Sequence, residues 1–417
     1  MTDLLLLAGA VLGYALISGR TRGTPLTAPM VFVAAGLILG DGGVGALSGT
    51  ATAPMVRILA EATLTLVLFT DAVRIELSVL RREYAFPLRL LGVGMPVGIA
   101  LGALLAWGVF PGLGMWAAAL LAAVLVPTDA ALGAAVVTDR RLPVRVRQTL
   151  NVESGLNDGI ALPIVMALVA VAATTQGDIG SPASWLGFAA QQIGFGALMG
   201  TVVGAVGGWL LVRVDAAGWV STTYRRLFVL ALAVVAYAGA EVVGGNGFVS
   251  AFVAGLAFGG VARPHCPAVH EFAEREGELL EMATFTLFGA IIIGPRLDDI
   301  TGPVLGYAVL SLAVVRVAAV AVAMIGAKAR WETVAFLGWF GPRGLASILF
   351  ALLVVEESGI AAADRIMLVT GVTVLLSVYA HGLTAAPWAR GFARRAGTFA
   401  PSAPENLPVT EHRVRRR

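Results

Sequence analysis

The chain has 417 residues, of which 58% are hydrophobic and only 13% are charged. A soluble domain needs more polar side chains than this to cover its surface, so the composition indicates a protein whose solvent is lipid. The net charge of +3 is spread between apolar segments instead of forming one basic patch, which argues against nucleic-acid binding. The single cysteine excludes an intramolecular disulfide and any metal site built from cysteines.

Apolar segments follow one another along almost the whole chain. About 20 apolar residues cross a bilayer as a helix, and the segments lie near 3–19, 24–40, 54–73, 86–110, 114–137, 148–174, 184–212, 226–243, 247–262, 279–295, 303–327, 332–355 and 363–386. They predict an all-α polytopic membrane protein with about 13 transmembrane helices. Residues 1–388 are the predicted transmembrane domain. Residues 389–417 are predicted to be a short basic cytoplasmic tail, solvated and attracted to the anionic inner leaflet.

The basic residues fall mainly in alternate loops. Loops that follow odd-numbered segments are rich in arginine, whereas the other loops contain only Arg57, Arg296 and Arg365. Because cytoplasmic loops carry the excess of basic residues, the alternation predicts an N-terminus outside the cell and a C-terminus in the cytoplasm. A multi-pass protein of the plasma membrane is expected.

The sixth segment carries an unusual set of polar residues at bilayer depth. Glu153 and Asn157 are four residues apart, as are Ser154 and Asp158, so on a helix the two pairs form neighbouring stripes. Ionisable groups are costly inside a membrane and therefore mark function. Carboxylate, hydroxyl and carboxamide oxygens are hard ligands that suit Na⁺ or Li⁺, so the stripe predicts a monovalent-cation site.

Two segments contain residues that interrupt helices. Pro127 and Gly133 flank Asp129 in the fifth segment, and Gly-Pro-Arg343-Gly interrupts the twelfth, seven segments later. Breaks at corresponding positions of two halves are typical of transporters with inverted repeats, here two six-helix repeats with crossed discontinuous helices. Asp129 would then compensate the positive N-terminal helix ends and Arg343 the negative C-terminal ends. The alternative is that proline and glycine merely kink two packed helices.

Over essentially its whole length the chain resembles the sodium/proton antiporters of the cation/proton antiporter family, the NhaP and NHE group. The residues that carry the resemblance are Thr128-Asp129, Glu153-Ser154-Gly-Leu-Asn157-Asp158-Gly and Gly-Pro-Arg343-Gly. One position differs, because Ala130 occupies the place where the family usually has a proline.

The resemblance implies roles for individual residues. Asp158 would bind the cation and the proton in turn, with Thr128 and Ser154 as further ligands and Asn157 orienting the site. Glu153 would be fixed by an arginine of a later helix, here Arg316. The resemblance also implies a homodimer in which a core domain moves against a dimerisation domain.

The predicted function is secondary antiport of a monovalent cation, Na⁺ with Li⁺ or K⁺ as alternatives, for protons. The resemblance suggests that electrogenic relatives carry a second aspartate where this chain has Asn157, so one-for-one electroneutral exchange is expected. No enzyme activity and no cofactor are expected. The competing hypotheses are a potassium/proton antiporter of the same fold, a membrane-embedded hydrolase using Ser154, and a passive channel. The sequence argues against a hydrolase because no histidine lies in a membrane segment near Ser154. It argues against a channel because it contains no recognisable selectivity filter.

Three further ionisable residues lie near the predicted segment ends. Glu61 and Asp71 belong to the third segment and His381 to the last. Solvation at the membrane interface is the expected state of all three, although the two carboxylates could instead line a path for cations.

The loop alternation gives a testable topology. A reporter fused to the C-terminus should be cytoplasmic, and one fused after Gly42 should be external, because two predicted crossings precede that residue. Paired reporters, one active only in the cytoplasm and one only outside, measure both positions. A cytoplasmic reading after Gly42 would show that the segment assignment is wrong.

Overall fold

The computed structural model describes residues 2–21, 24–47, 53–73, 75, 85–174, 182–263, 266–356 and 360–407. Within these ranges all regular secondary structure is helical. The helices of the first part of the chain are α1 Thr2–Thr21, α2 Ala28–Leu39, α3 Ala53–Val73, α4 Ala85–Val109, α5 Met115–Leu125, α6 Ala130–Val137 and α7 Val144–Thr174. Helices suit these apolar sequences because lipid offers the backbone no hydrogen-bond partner.

The second part of the chain continues in the same way. Its helices are α8 Pro182–Ala216, α9 Thr222–Val242, α10 Gly247–Val261, α11 Cys266–Leu287, α12 Gly302–Ala323, α13 Trp331–Trp339, α14 Leu345–Glu356 and α15 Ala363–Ala396. Single π turns lie within α4 and α12 and directly after α11. Asn246 caps α10, since its Oδ1 accepts a hydrogen bond from the Val249 amide at 3.0 Å.

Each predicted apolar segment coincides with one helix or with a pair of helices separated by a break. Six helices in the described part of the chain are long and apolar enough to cross a membrane, and five more are apolar but shorter. Two boundaries differ clearly from the prediction: α11 begins at Cys266 instead of near 279, and α15 ends at Ala396 instead of near 386. The exact number of crossings and the inverted repeats remain predictions.

The helices form two groups by their contacts. The first, which we call the continuous group, contains α1–α3 and α8–α11. The second, the broken-helix group, contains α4–α7 and α12–α15. Each group takes consecutive helices from both halves of the sequence. The groups meet where α7 contacts α8 and α3, where α14 contacts α3, and where α15 contacts α2 and the π turn after α11.

A glycine stripe brings α8 against α10. Gly196, Gly200 and Gly204 recur every fourth residue, and a β-carbon at any of them would collide with the α10 backbone. Small residues at this spacing allow close helix packing in membranes, where dispersion contacts replace the hydrophobic effect as the main attraction between helices. The stripe therefore makes α8 and α10 a closely packed pair within the continuous group.

Both predicted helix breaks are confirmed. The first break is the non-helical segment between α5, which ends at Leu125, and α6. The second is the non-helical segment between α13 and α14. The two breaks contact each other, since the Asp129 amide donates to the Pro342 carbonyl at 2.8 Å. Ala130 is the first residue of α6. Proline is favoured at that position but not required, so its replacement by alanine leaves the start of the helix intact.

The end of the chain differs from the predicted solvated tail. Beyond Ala396 the described chain turns back, and Phe399 is buried in a cluster with Phe392 and Phe336. Phe399 thereby anchors the segment 397–407 against α13 and α15, although most other residues of the segment are exposed. The physical reason is apolar burial, which the arginine-rich composition of the tail conceals.

Glu405 fixes this C-terminal segment to two helices. It is 1% exposed, and its Oε1 accepts hydrogen bonds from the Arg330 amide and the Thr333 hydroxyl, both at 2.8 Å, at the N-terminal end of α13. Arg145, at the start of α7, donates to the Pro404 carbonyl at 2.7 Å. Glu405 thus acts as a helix cap supplied from a distant part of the sequence.

Replacing this cap should destabilise the protein measurably. We expect Glu405→Ala to lower the free energy of unfolding by about 1–3 kcal/mol, because it leaves the buried Thr333 hydroxyl and the partly buried Arg330 amide without their acceptor. Heat-induced unfolding in detergent measures the change. Ser402→Ala, an exposed position in the same segment, is the control and should leave the melting temperature unchanged. Equal melting temperatures for both variants would contradict the capping role.

Candidate functional site

The polar residues of α7 lie in the protein interior, away from lipid. Glu153, Ser154, Asn157 and Asp158 are all at most 8% exposed. The two stripes predicted from their spacing therefore face neighbouring helices. A carboxylate at such a position needs compensation by partners or by a bound ion, so the contacts of each residue decide what it can do.

Thr128, in the α5–α6 break, connects that break to α7. Its Oγ1 lies 3.0 Å from the Ser154 hydroxyl and accepts a hydrogen bond of 2.6 Å from Asn157 Nδ2. Thr128 is 2% exposed. Three of the predicted ligand residues are therefore brought together, and the carboxamide of Asn157 fixes the position of the threonine side chain.

Two buried oxygens beside this cluster have no hydrogen-bond partner among the described residues: Oδ1 of Asn157 and Oδ1 of Asp158. Buried polar atoms are nearly always paired, and an unpaired one calls for an explanation such as an ion or a water. Carboxylate, carboxamide and hydroxyl oxygens are the donor set of a hard monovalent cation. The arrangement is chemically able to bind such a cation or, at Asp158, a proton.

Asp129 lies at the N-terminal ends of two helices. Its Oδ1 accepts from the Leu132 amide of α6 at 3.2 Å, and its Oδ2 accepts from the Leu345 amide of α14 at 2.9 Å. At Gly344 a β-carbon would collide with this carboxylate, so only glycine permits the close approach. The negative charge faces the positive ends of two helix dipoles.

Arg343 has the complementary position. It is 2% exposed, and its Nη1 donates to the Val126 carbonyl at 2.8 Å and to the Pro127 carbonyl at 3.3 Å, just beyond the C-terminal end of α5. Each break therefore supplies a charged side chain to the other: the aspartate of the first reaches the start of α14, and the arginine of the second reaches the end of α5.

Glu153 and Arg316 form a two-point ion pair between α7 and α12. Arg316 Nη1 lies 2.5 Å from Glu153 Oε1, and Nη2 donates to Oε2 at 2.8 Å. Their side chains are 4% and 7% exposed. The parallel contacts of a guanidinium with a carboxylate are the strongest geometry available to such a pair. The partner suggested by the family resemblance is thus in contact with Glu153.

Asp71 was expected to be solvated, and that expectation is wrong. It is 8% exposed and interacts electrostatically with Asp158 across the boundary between the two helix groups. Glu61, ten positions earlier on α3, is partly exposed. The signal for Asp71 was present in the sequence, because it follows Thr70 and the run Leu64–Phe69, which is apolar except for Thr65.

The expectation for His381 is also wrong. Its side chain is 1% exposed, and its Nε2 lies 2.8 Å from the Trp339 carbonyl at the end of α13. The prediction failed because α15 continues past residue 386, which places His381 well inside the helix and not near its end.

Known proteins resemble this chain over most of its length. A family model described as "Sodium/hydrogen exchanger, transmembrane" matches residues 7–391. The K(+)/H(+) antiporter NhaP2 of Shewanella oneidensis is 26% identical over 370 residues, covering 87% of this chain and 62% of that protein. The K(+)/H(+) antiporter NhaP of Alkalimonas amylolytica is 27% identical, covering 90% and 63%.

A third relative is the Na(+)/H(+) antiporter 2 of Zygosaccharomyces rouxii, 26% identical over 69% of this chain and 37% of that protein. The chain thus spans less than two thirds of the length of these curated relatives. Among solved structures, the sodium proton antiporter MjNhaP1 of Methanocaldococcus jannaschii has a TM-score of 0.79 at 18% identity, covering 94% of this chain and 99% of that one. This likeness shows a common fold, and the family match shows that the chain belongs to the sodium/hydrogen exchanger family.

Proposed function

We propose that this multi-pass membrane protein exchanges a monovalent alkali cation for protons, and that Asp158 binds the two in turn. The observation that carries the proposal is the unpaired, buried Oδ1 of Asp158 on the same helix face as the Thr128–Ser154–Asn157 cluster. A carboxylate there can be neutralised by a cation or by a proton. Competition between the two ligands couples their movements.

The other buried charges have structural roles in this proposal. Glu153 is neutralised by Arg316 in two-point contact, and Asp129 and Arg343 compensate helix ends. Fixed pairing removes these groups from the transport cycle, because changing the charge of one partner would strand the other in a medium of low dielectric constant. Asp158 is then the group that binds a proton in one part of the cycle and a cation in the other.

Charge counting at the site leads to one-for-one exchange. Asn157 cannot titrate, so Asp158 crosses the membrane either protonated or with one monovalent cation bound. Both forms carry the same net charge, and one cycle moves none.

The nature of the cation follows from chemistry only in part. Oxygen ligands suit Na⁺, Li⁺ and K⁺ alike, and selectivity depends on cavity size and on the cost of removing water from the ion. Relatives are named both as K(+)/H(+) and as Na(+)/H(+) antiporters. Proteoliposomes with an internal pH dye, challenged in turn with the chloride salts of the three ions, would identify the cation that drives proton movement.

The proposal includes alternating access. The broken-helix group would move relative to the continuous group, exposing Asp158 to one side at a time. The proposal also includes a homodimeric assembly in the plasma membrane, with the N-terminus outside the cell. Exposed apolar side chains on α8, among them Phe195, Leu198 and Val202, offer a surface for lipid or for a second copy.

The central prediction concerns Asp158→Asn. The carboxamide imitates the protonated carboxylate, so the variant should fold normally while cation-driven proton flux falls to the level of empty liposomes. The matched control is Asp298→Asn, the same change at an exposed carboxylate, which should keep the parent rate. Retained flux in Asp158→Asn would remove this residue from the mechanism.

Electroneutrality is tested by an imposed membrane potential. One net charge moved through 100 mV is worth about 2.3 kcal/mol, which would change the exchange rate strongly. We expect equal initial rates at zero and at imposed potential, set with valinomycin when Na⁺ drives exchange and by a clamped supported membrane when K⁺ does. A strong dependence on potential would exclude one-for-one exchange.

The ion pair is expected to serve stability. Glu153→Gln or Arg316→Gln should each lower the free energy of unfolding by about 3–5 kcal/mol, because each leaves an uncompensated buried charge. The double variant should recover part of the loss. Arg141→Gln removes a guanidinium that is 59% exposed from its pair with Asp139, and it should lower the melting temperature much less than either single variant of the buried pair. Strictly additive losses in the double variant would argue against coupling between Glu153 and Arg316.

A further inference from the structure

Helix α15 approaches the α13–α14 break through two buried side chains, Ser377 and His381, which are 0% and 1% exposed. Ser377 Oγ accepts a hydrogen bond of 2.6 Å from the Arg343 amide. His381 Nε2 lies 2.8 Å from the Trp339 carbonyl, and its Nδ1 lies 3.1 Å from Ser377 Oγ. The two side chains therefore reach backbone groups on both sides of the break.

These contacts define the tautomer of the imidazole. A carbonyl oxygen only accepts hydrogen bonds, so Nε2 must carry the hydrogen that faces Trp339. In the neutral ring Nδ1 is then an acceptor, and the Ser377 hydroxyl can donate to it. The hydroxyl oxygen remains free to accept from the Arg343 amide. One continuous chain of hydrogen bonds results, from Arg343 through Ser377 and His381 to Trp339.

The alternative protonation state is less favourable. The Ser377 carbonyl lies 2.9 Å from Nδ1 and could accept from it if that nitrogen were also protonated. A doubly protonated ring would add a positive charge near Arg343 and Arg316, both of which interact electrostatically with it. The other groups that contact the ring are aromatic, Trp339 and Phe340, with centroids 5.1 Å and 6.4 Å away.

The break needs these partners because it interrupts a helix inside the membrane. Several backbone groups there lack the partner that a continuous helix would supply, and lipid offers none. The Trp339 carbonyl accepts from the Gly341 amide at 2.8 Å as well as from His381. Asp129 satisfies the Leu345 amide, and its own amide satisfies the Pro342 carbonyl. Ser377 and His381 serve the remaining side of the break. A further bond of 2.9 Å, from Trp339 Nε1 to the Thr384 hydroxyl, fixes the same end of α13 to α15.

We propose that His381, acting through Ser377, is a positioning residue of the exchanger: it fixes the backbone at Arg343 and thereby the position of Thr128. This rests on the function proposed above. The connection to the site is direct. Arg343 contacts the Val126 and Pro127 carbonyls, which immediately precede Thr128. The Pro342 carbonyl accepts a hydrogen bond from the amide of Asp129, the residue that immediately follows Thr128. A displaced break would move Thr128 from both sides.

The expected effect is on cation binding more than on turnover. No hydrogen bond joins the network to Asp158 among the described residues, whereas Thr128, which the network positions, is a proposed cation ligand. His381→Phe keeps the ring volume and removes both nitrogens, so the cation KM should rise about tenfold, with a smaller change in maximal rate. Ser377→Ala should raise KM about threefold.

A conservative variant and a matched control separate positioning from packing. His381→Gln retains a donor for the Trp339 carbonyl and should restore most of the affinity. Thr373→Val removes a fully buried hydroxyl one turn earlier on α15 that bonds only to the Val369 carbonyl of its own helix. Its KM should stay within about twofold of the parent.

The kinetic test is a proteoliposome titration with whichever cation drives exchange, beside melting temperatures of every variant. The proposal is overturned if folded His381→Phe keeps the parent KM, or if Ser377→Ala behaves as Thr373→Val does. If His381→Phe does not fold, the KM values of Ser377→Ala and His381→Gln, compared with that of the parent, test the proposal in its place.

A spectroscopic test is independent of transport. The chain has four histidines, so nitrogen NMR of ¹⁵N-histidine protein, with His381→Gln for assignment, can read this ring alone. We expect protonated Nε2 and an unprotonated, hydrogen-bonded Nδ1 at neutral pH. The opposite tautomer or a charged ring would overturn the network even if exchange occurs. Absence of exchange in the parent protein would refute the proposed function. The hydrogen-bond network would then be tested by the nitrogen NMR measurement alone.

Discussion

The structure depends on one constraint: a helix interrupted at bilayer depth leaves backbone amides and carbonyls that no solvent can satisfy. This protein meets it by bringing two such interruptions together. Asp129 from the first binds the amide that starts α14, and Arg343 from the second binds carbonyls that follow α5. Neither arrangement would be stable alone, since each charge would lie in a medium of low dielectric constant without a counterpart.

This mutual dependence explains why the chemistry is concentrated in one place. Once the breaks are fixed, Thr128 projects toward α7 and meets Ser154 and Asn157. The Glu153–Arg316 pair fixes α7 to α12 one turn away. Four charged groups are then committed to partners in the protein. The unpaired Oδ1 of Asp158 lies among these fixed groups, and it is there that the proposed function places the cation or the proton.

The sequence carried more information about elements than about contacts. Proline and glycine at 127 and at 341–344 predict the breaks because they act locally, through ring geometry and missing side chains. The four-residue spacing of the polar residues of α7 likewise predicts a common face. Burial of Asp71, His381 and Glu405 depends on which distant helices pack beside them. Hydropathy placed the first two near segment ends and Glu405 in a polar tail, so their tertiary partners could not be inferred.

The docked C-terminal segment has a mechanical consequence. Glu405 and Pro404 connect residues 397–407 to the starts of α13 and α7, both of which belong to the broken-helix group. A displacement of that group in the proposed transport cycle would therefore move the segment with it. In the proposed alternating-access cycle, residues 397–407 would belong to the body that moves, and a spectroscopic label attached within them would report that motion.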